Sequence, residues 1–266
     1  KSINPKIIII HYVAPQVWVW REGRLKNFKK FLDHILLLFN FEKKYFEKEK
    51  ISCEFVGHPL LEDKGQNKID INQIIGKNKA LISIFAGSRK SEISVLTPIL
   101  LDFIKLMNKK YTDMTYVFHT TKKYLHLMRF FVEKSNLNNC EVVSDDKIKA
   151  YILQKSIFAV SKSGTISLEI CNAKIPSVIL YKMNFINFLI VKSLVKTKYA
   201  NIINIVAGKE IIPELLQSKC NPTNIFRQVD SFLEQPNKIK EQQDKVQTIL
   251  NGLKTNKSSS ELASLS

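Results

Sequence analysis

The 266-residue sequence contains few cysteines, and this scarcity narrows the classes of protein to which it can belong. Cys53, Cys140, Cys171 and Cys220 are scattered along the chain. They lack the paired spacing of a zinc site and the density of a disulfide framework. A protein of a reducing, cytoplasmic environment is therefore expected.

Long apolar runs are also missing. No stretch reaches the roughly 18 residues that a membrane-spanning helix needs. The two nearest candidates are residues 6–20, interrupted by His11 and Pro15, and residues 183–195, interrupted by Lys192. Both are predicted to be core elements.

Arginine is scarce although the chain is strongly basic. Five of the 41 basic residues are arginine and 36 are lysine, and with 24 acidic residues the formal net charge is +17. Residues 64–196 carry +12 of this excess, against +3 for 1–63 and +2 for 197–266. A positive field there attracts an anionic ligand or an anionic membrane surface, although a lysine-rich solvated surface has the same composition. Nucleic acid is not predicted as a partner, because no arginine–aromatic interleaving and no helix-turn-helix or zinc-finger pattern occurs.

Apolar runs alternate with helical patterns, which is typical of an α/β fold. The first part of the chain predicts strands at 7–13, 35–39 and 53–56, and helices at 21–32 and 42–50. A polar stretch at 62–79 is the best linker candidate. The pattern then restarts, with strands predicted at 80–85, 115–119, 140–143, 157–160 and 177–181. Helices are predicted between and after them, near 90–109, 121–135, 146–154, 164–173 and 184–195.

From about residue 209 the pattern becomes helical, with helices predicted at 210–217, 223–233 and 238–253. The alternation before it predicts mostly parallel, doubly wound sheets whose ligands bind outside the carboxyl ends of the strands.

Two clusters of small residues follow predicted strands and precede predicted helices. Gly87-Ser88-Arg89 follows the strand at 80–85, and Ser163-Gly164-Thr165 follows the strand at 157–160. Such turns let a ligand approach the backbone, and the helix start offers free N–H groups to a phosphate. The pair predicts a site for a phosphorylated ligand. The simpler alternative is that both turns are ordinary helix caps.

The histidines have no metal-ligand spacing. His34 and His119 are interpreted as core residues, whereas His11 and His58 stand at strand ends and are weak candidates for a site. The pair Asp145-Asp146 is interpreted as the cap of the helix at 146–154 rather than as a metal-binding motif.

Several motifs together resemble the lipid-A-disaccharide synthase family, bacterial glycosyltransferases of the two-Rossmann GT-B architecture. The resemblance covers nearly the whole chain, and its most specific parts are Trp18-Val19-Trp20-Arg21 and Lys196-Thr197-Lys198-Tyr199. The other matching stretches are 11–17, 41–43, 55–60, 87–93, 163–169, 204–210 and 214–217. One difference is Ala86, where the family usually has proline.

The resemblance implies a GT-B-like fold with two Rossmann-type domains, the first incomplete, and a helical C-terminal tail. Residues 1–63 are then the remainder of an acceptor-side domain, and residues 64–196 the nucleotide-sugar-binding domain. Residues 197–266 form a helical segment that packs back across the domains.

The reaction that the resemblance implies transfers 2,3-diacylglucosamine from UDP-2,3-diacylglucosamine to 2,3-diacylglucosamine 1-phosphate. The products are lipid A disaccharide 1-phosphate and UDP, formed with inversion and without a metal or other cofactor. The expected location is cytoplasmic, peripheral on the inner face of the cytoplasmic membrane, and a homodimer is compatible with the family. Members of the family carry a Gly-rich turn and a general-base Asp ahead of the stretch matched here, so this chain is expected to be an N-terminally truncated form without its own base.

The resemblance also implies roles for individual residues, and most of these roles concern nucleotide binding. Arg89 is expected to stabilise the departing diphosphate, and Glu169 to bind the ribose hydroxyls. The other expected nucleotide-binding residues are Gly87, Ser88, Ser163, Gly164, Thr165, Asn204, Glu210, Glu214 and Gln217. Glu210, Glu214 and Gln217 are spaced to share one face of the predicted helix at 210–217.

The acceptor or membrane side is expected to involve Trp18, Trp20 and Arg21, although burial in a core is the commoner fate of such tryptophans. Two alternatives to the synthase stay open from the sequence. One is another UDP-sugar GT-B transferase, and the other is a non-catalytic UDP-binding module.

Overall fold

The structure, a computed structural model, divides into two compact units. One comprises residues 1–63, 185–198 and 249–266, and the other comprises 64–184 and 199–248. The residues that the structure describes are 4, 6–15, 25–62, 80–184, 188 and 197–265. Nearly all of the predicted linker at 62–79 and of the predicted helix at 184–195 lies outside these residues.

The first unit contains a parallel sheet with the order β1-β2-β3. Its strands are β1 (Ile10–Tyr12), β2 (His34–Leu37) and β3 (Ser52–Phe55), and the helices between them are α1 (Leu25–Phe28) and α2 (Lys43–Lys48). Leu25, Ile35, Leu37 and Phe46 are fully buried in its core. The predicted β-α-β-α-β order is confirmed. Strands β1 and β2 and helix α2 are shorter than predicted, whereas β3 has the predicted length.

The second unit is built on a six-stranded sheet in which all neighbouring strands are parallel. Its strands are β4 (Ala80–Phe85), β5 (Met114–His119), β6 (Cys140–Val143), β7 (Ser156–Lys162), β8 (Ser177–Tyr181) and β9 (Glu214–Leu216). The spatial order is β6-β5-β4-β7-β8-β9. The chain therefore reverses its direction of travel across the sheet between β4 and β7, which makes their carboxyl ends the switch point where α/β sheets bind ligands.

Helices cover both faces of this sheet, and buried clusters lie between the sheet and the helices on either side. The helices described from residue 80 onward are α3 (Lys90–Asn108), α4 (Leu125–Lys134), α5 (Asp146–Lys155), α6 (Ile166–Asn172), α7 (Ile202–Ala207), α8 (Pro222–Glu234), α9 (Pro236–Asn251) and α10 (Ser259–Leu265). Of these, α10 belongs to the first unit. Strand β4 is buried along nearly its whole length, as expected for a parallel strand covered on both faces. Phe158 of β7 packs against Phe232 of α8, with the ring centroids 5.4 Å apart.

The predicted α/β class and the sheet-forming runs are confirmed, but the predicted helix at 210–217 is wrong. This segment contains β9, which extends the sheet beside β8, and the carbonyl of Pro213 accepts a hydrogen bond from Ile179 N–H at 2.9 Å. Pairing with a sheet edge overrides a weak helical preference here. Within the parts of the chain that the structure describes, no helix has the length and apolar character to cross a bilayer.

Candidate functional site

A cavity of about 230 Å³ opens in the second unit where strands β4, β5 and β7 end. Both predicted small-residue turns contribute to its wall, so the structure brings them together at the switch point. The lining residues are Phe85, Gly87, Ser88, Glu92, His119, Thr120, Thr121, Asp146, Lys149, Lys162, Ser163, Gly164, Thr165, Ile166 and Glu169.

The turn after β4 is held by Glu92 of α3. The Glu92 Oε2 atom accepts hydrogen bonds from the backbone N–H groups of Ser88 at 3.0 Å and Arg89 at 3.3 Å. Gly87 has φ +115°, and a Cβ atom at this position would lie 2.5 Å from the same Oε2 atom. The turn therefore needs glycine, and its N–H groups already have an acceptor from within the chain.

Lys162, the last residue of β7, completes this cap. Its Nζ atom lies 3.0 Å from Glu92 Oε1, and both side chains are largely buried. Burial alone would raise the pKa of the Glu92 carboxyl. The hydrogen bond and the charge of Lys162, together with the Ser88 N–H and Arg89, outweigh burial and hold this pKa below its ordinary value.

Replacing Glu92 by glutamine is expected to lower the free energy of unfolding by about 1–2 kcal/mol at neutral pH. The native pKa of Glu92 lies below the unfolded one, so its contribution is present above the unfolded pKa and is lost as the pH falls through the native pKa. Urea unfolding of wild type and Glu92→Gln at neutral and acidic pH measures this. If the difference in free energy of unfolding between the two proteins does not shrink in acid, the capping role of Glu92 is contradicted. Glu133→Gln, at an exposed site on α4, serves as the control.

Arg89 lies beside the cavity without closing it. Its side chain is 79% exposed, and Nη1 lies 3.5 Å from Glu92 Oε1. Residue 89 is the cap residue of α3 and has an extended backbone. The guanidinium is thus held loosely by one carboxylate and is accessible to an anionic group entering the cavity.

The turn after β7 differs from the first because its backbone donors are open. The Ser163 hydroxyl donates to the Ala200 carbonyl at 2.7 Å, and the Ser163 N–H donates to the Leu180 carbonyl at 3.0 Å. By contrast, the N–H groups of Gly164, Thr165 and Ile166 donate to no acceptor among the described residues. A Cβ atom on Gly164 would meet nothing within 4 Å. This turn therefore presents unpaired donors and open space on one side of the cavity.

Glu169 of α6 forms an ion pair across the cavity wall. Lys149 Nζ of α5 lies 2.9 Å from Glu169 Oε2 and 3.3 Å from Asp146 Oδ1. Burial opposes the charge on Lys149, but its hydrogen bond to Glu169 and the charge of that carboxylate raise its pKa overall. A ligand hydroxyl that binds Glu169 must therefore share this carboxylate with Lys149.

His119 and Thr120 also line the cavity, and the sequence patterns did not assign them to a site. His119 was predicted to be a core residue, yet it lines the cavity and its ring packs near Phe85 with a centroid distance of 6.0 Å. Burial lowers the pKa of His119, and the charge of Lys149 lowers it further. The ring is therefore neutral at pH 7. Asp145 caps α5 as predicted, accepting from the N–H groups of Lys147 and Ile148 at 2.7 and 3.2 Å.

Asn204 and Glu214 do not line the cavity but form a buried hydrogen-bonded pair behind it. Asn204 Nδ2 donates to Glu214 Oε1 at 2.7 Å and to the Ile212 carbonyl at 2.7 Å. Glu214 also accepts from the N–H groups of Ala200 at 2.8 Å and Asn201 at 2.9 Å. Since Ala200 is the partner of the Ser163 hydroxyl, the pair supports the turn after β7.

Glu210 and Gln217, which were expected to join Glu214 on one helix face, do not do so. Glu210 is exposed in the loop before β9, and Gln217 follows the strand with φ +51°. The Gln217 Oε1 atom accepts from the Met183 N–H at 3.2 Å. Neither residue lines the cavity, and the shared helix face is a wrong prediction because β9 replaces the helix.

The remaining candidates belong to residues 1–63 of the chain. His58 caps a short turn by accepting from the Leu60 N–H at 3.1 Å. Trp18, Trp20 and Arg21 lie outside the described residues. Among the residues that are described, no three histidine, cysteine or acidic side chains are grouped so as to hold a metal ion.

Comparison with known sequences identifies one family over nearly the whole chain. The family model described as lipid-A-disaccharide synthetase matches residues 1–265. The lipid-A-disaccharide synthase of Rickettsia prowazekii is 34% identical over 269 residues, which cover 99% of this chain and 70% of that protein. The synthase of Rhodospirillum centenum is 33% identical over 251 residues, covering 92% of this chain and 62% of that protein. The chain thus spans roughly two thirds of the length of these relatives.

Comparison with solved structures supports the fold alone. The structure of MnaA from S. aureus, solved with UDP, superposes with a TM-score of 0.61 at 15% sequence identity. The match covers 88% of this chain and 58% of that one. The fold is therefore α/β of the GT-B type, as predicted.

Proposed function

The chain belongs to the lipid-A-disaccharide synthase family, and from this premise we propose that it provides the donor-nucleotide site of this hexosyltransferase. The donor is UDP-2,3-diacylglucosamine, and the acceptor is 2,3-diacylglucosamine 1-phosphate. The acceptor hydroxyl attacks the anomeric carbon of the donor, the bond from that carbon to the diphosphate breaks, and UDP leaves. The site sits in the second unit, and the enzyme works on the inner face of the cytoplasmic membrane.

The observation that carries this proposal is the cavity at the switch point of the second sheet, with unpaired backbone donors along one side. The N–H groups of Gly164, Thr165 and Ile166 supply hydrogen bonds to a diphosphate, and open space at Gly164 lets the phosphate come close. Arg89 reaches the same ligand from the other turn. Fixed donors of this kind stabilise the negative charge that develops on the leaving diphosphate.

The first predicted turn plays a different part from the second. The N–H groups of Ser88 and Arg89 bind Glu92, so in this turn the Arg89 side chain and not the backbone is the group that binds phosphate. Glu169 binds the ribose hydroxyls with the same carboxylate that pairs with Lys149. Asn204 and Glu214 act as positioning residues through Ala200 and Ser163, and direct nucleotide contacts by Asn204, Glu210, Glu214 and Gln217 stay predictions.

The proton of the attacking hydroxyl needs a general base. The family resemblance implies that this group belongs to a part of the relatives that this chain does not span. Contact with the acceptor or the membrane by Trp18, Trp20 and Arg21, and a homodimeric assembly, stay predictions as well.

Titration calorimetry with UDP tests the nucleotide site, and Gly164→Ala is its sharpest variant. The added methyl meets no protein atom within 4 Å, so the variant is expected to unfold like wild type while occupying the space where the phosphate lies. We expect UDP affinity to fall about tenfold or more, corresponding to the loss of about one or two phosphate hydrogen bonds. Arg89→Ala and Glu169→Ala are expected to weaken UDP as well, and EDTA to leave the affinity unchanged.

Gly252→Ala is the matched control, since this glycine lies in the other unit and outside the cavity lining. A folded wild-type chain that binds no UDP overturns the proposal. UDP binding that is untouched by Gly164→Ala, Arg89→Ala and Glu169→Ala places the nucleotide elsewhere and overturns the assignment of this cavity. Transfer assays with the two diacylated substrates then separate a synthase from a UDP-binding module.

A further inference from the structure

Helix α4 exposes one aromatic side chain that the core does not use. Phe130 is 57% exposed, the highest exposure among the large apolar side chains described in the second unit. The opposite face of the helix buries Met128 and Val132, and Phe131 packs against the same core. A single exposed apolar residue is common, so Phe130 indicates a partner only together with what surrounds it.

Cations surround Phe130 on the exposed side of α4 and of the short turn before it. The α4 face, as we name it, comprises the exposed residues Lys122, Lys123, His126, Arg129, Phe130 and Lys134. Their spacing of three and four residues is that of neighbours on one side of a helix. Residues 121–135 contain four basic residues and one acidic residue, a formal net charge of +3.

The charge of this face is not compensated from within the described parts of the chain. There, neither the two lysines before the helix nor Arg129 and Lys134 form an ion pair with a carboxylate. By contrast, Lys110, Lys149 and Lys162 of the same unit are each paired with an acidic side chain. Uncompensated cations that lie close together attract an anionic partner.

The exposed ring is held among these cations. Lys134 Nζ lies 5.9 Å from the centroid of the Phe130 ring, and the Phe131 ring packs edge-on against Phe130 with the centroids 6.0 Å apart. A groove of about 160 Å³, lined by Pro98, Leu101, Phe131 and Lys134 among others, adds apolar surface beside it. An aromatic ring flanked by long cationic side chains suits the boundary between lipid head groups and acyl chains.

We propose that the α4 face docks the second unit on an anionic phospholipid surface. Phe130 enters the boundary between head groups and acyl chains, and the four cations meet the lipid phosphates. Nucleic acid fits this face less well, because a single arginine and a single exposed ring do not form a stacking platform or a groove. An acidic protein segment has compatible charge but gives the exposed ring no apolar environment.

The α4 face directly follows the candidate cavity in the sequence. Thr121 lines the cavity, and Lys122 is the next residue. Docking by this face therefore holds the cavity next to the bilayer, where the diacylated donor of the proposed function resides. Lipid binding itself needs no nucleotide, so the two proposals fail separately.

Vesicle sedimentation with the whole chain tests this inference. Wild type is expected to bind vesicles that contain phosphatidylglycerol at least about tenfold more tightly than vesicles of phosphatidylcholine alone, and high salt is expected to abolish the difference. Phe130→Ser is expected to weaken binding to the anionic vesicles about 5- to 10-fold. Lys122→Gln combined with Lys123→Gln is expected to weaken it about 10- to 30-fold, because each cation near an anionic surface contributes about fivefold.

The matched controls are Ile157→Ser and the pair Lys209→Gln with Lys240→Gln. They remove a 40% exposed apolar side chain and two exposed lysines elsewhere in the same unit. These controls are expected to bind within about twofold of wild type. Thermal unfolding shows whether each variant is folded.

The inference is overturned if the folded variants of the α4 face bind anionic vesicles as tightly as the controls do, or if wild type does not distinguish the two kinds of vesicle. UDP binding measured in the same samples shows whether the nucleotide site stands on its own. Binding to polyglutamate without binding to vesicles assigns the face to an acidic protein and overturns the lipid assignment. Vesicle binding that is lost in the variants of the α4 face supports the docking surface even in a chain that binds no UDP.

Discussion

Replacing Asn204 by leucine is expected to destabilise the second unit by about 3–5 kcal/mol, because the buried amide serves four hydrogen bonds at once. Its Oδ1 atom accepts from the N–H groups of Ile211 at 2.8 Å and Ile212 at 3.0 Å. Its Nδ2 group donates to the Ile212 carbonyl and to Glu214. Leucine has a similar volume but pairs with none of these groups, and water cannot replace the amide at a residue with no exposed surface.

The carboxylate of Glu214 makes this loss larger than that of an ordinary hydrogen-bonded asparagine. Glu214 is only 8% exposed, and Asn204 is one of its three donors, beside the N–H groups of Ala200 and Asn201. A buried charge that loses a partner is costly. The damage is expected to reach the cavity, since Ala200 holds the hydroxyl of Ser163.

Thermal unfolding measures this prediction, and a fall in Tm of about 10 °C is expected for a chain of this size. Asn138→Leu, at an exposed position, is the control and is expected to change the free energy of unfolding by less than about 0.5 kcal/mol. Asn204→Asp adds a second carboxylate beside Glu214 and is expected to be more harmful at neutral pH than in acid. If the Tm of Asn204→Leu lies within about 2 °C of wild type, the Asn204 amide does not stabilise this hydrogen-bond network as proposed.

The sequence predicts the inner strands of the second unit well because they are buried on both faces. Ala80–Phe85 and Ser177–Tyr181 match the predicted bounds, since near-continuous apolar runs between turn residues leave little ambiguity. The prediction fails at Glu214–Leu216. This strand is short and lies at the edge of the sheet, and only its pairing with β8 makes it a strand.

Sequence patterns locate the site but not its internal partners. The two turns at Gly87 and Ser163 converge as parallel-sheet topology requires. The role of Glu92, which accepts from the N–H groups of the first turn, is only partly visible in the sequence. The sequence shows a glutamate three residues after the cap position, which is typical of a capping box. Its pairing with Lys162, 70 residues further along, depends on the adjacency of β4 and β7. The sequence predicts His119 to be a core residue because the residues before it are apolar.

Substituting alanine for Gly87 is expected to destabilise the second unit by about 2–4 kcal/mol, whereas the same change at Gly164 is expected to leave stability within about 0.5 kcal/mol of wild type. Gly87 has φ +115°, a conformation that side chains disfavour. Its Cβ would also lie 2.5 Å from Glu92 Oε2 and 2.7 Å from Glu92 Cβ. Glu92 must then leave the N–H groups of Ser88 and Arg89, and Lys162 loses its partner.

A double-mutant cycle with Glu92→Ala separates the two causes. When residue 92 is alanine, the cap and the contact with the carboxylate are gone, but the 2.7 Å contact between the two Cβ atoms remains. Gly87→Ala should then cost the backbone strain and that contact, about 1–2 kcal/mol less than it costs in wild type. Urea unfolding of the four proteins measures the coupling, which is expected to be about 1–2 kcal/mol. Additive costs show that Glu92 and Gly87 act independently. The glycine is then needed for its backbone conformation and for the close approach of the residue 92 Cβ atom, and the Glu92 carboxylate plays no part in fixing the turn.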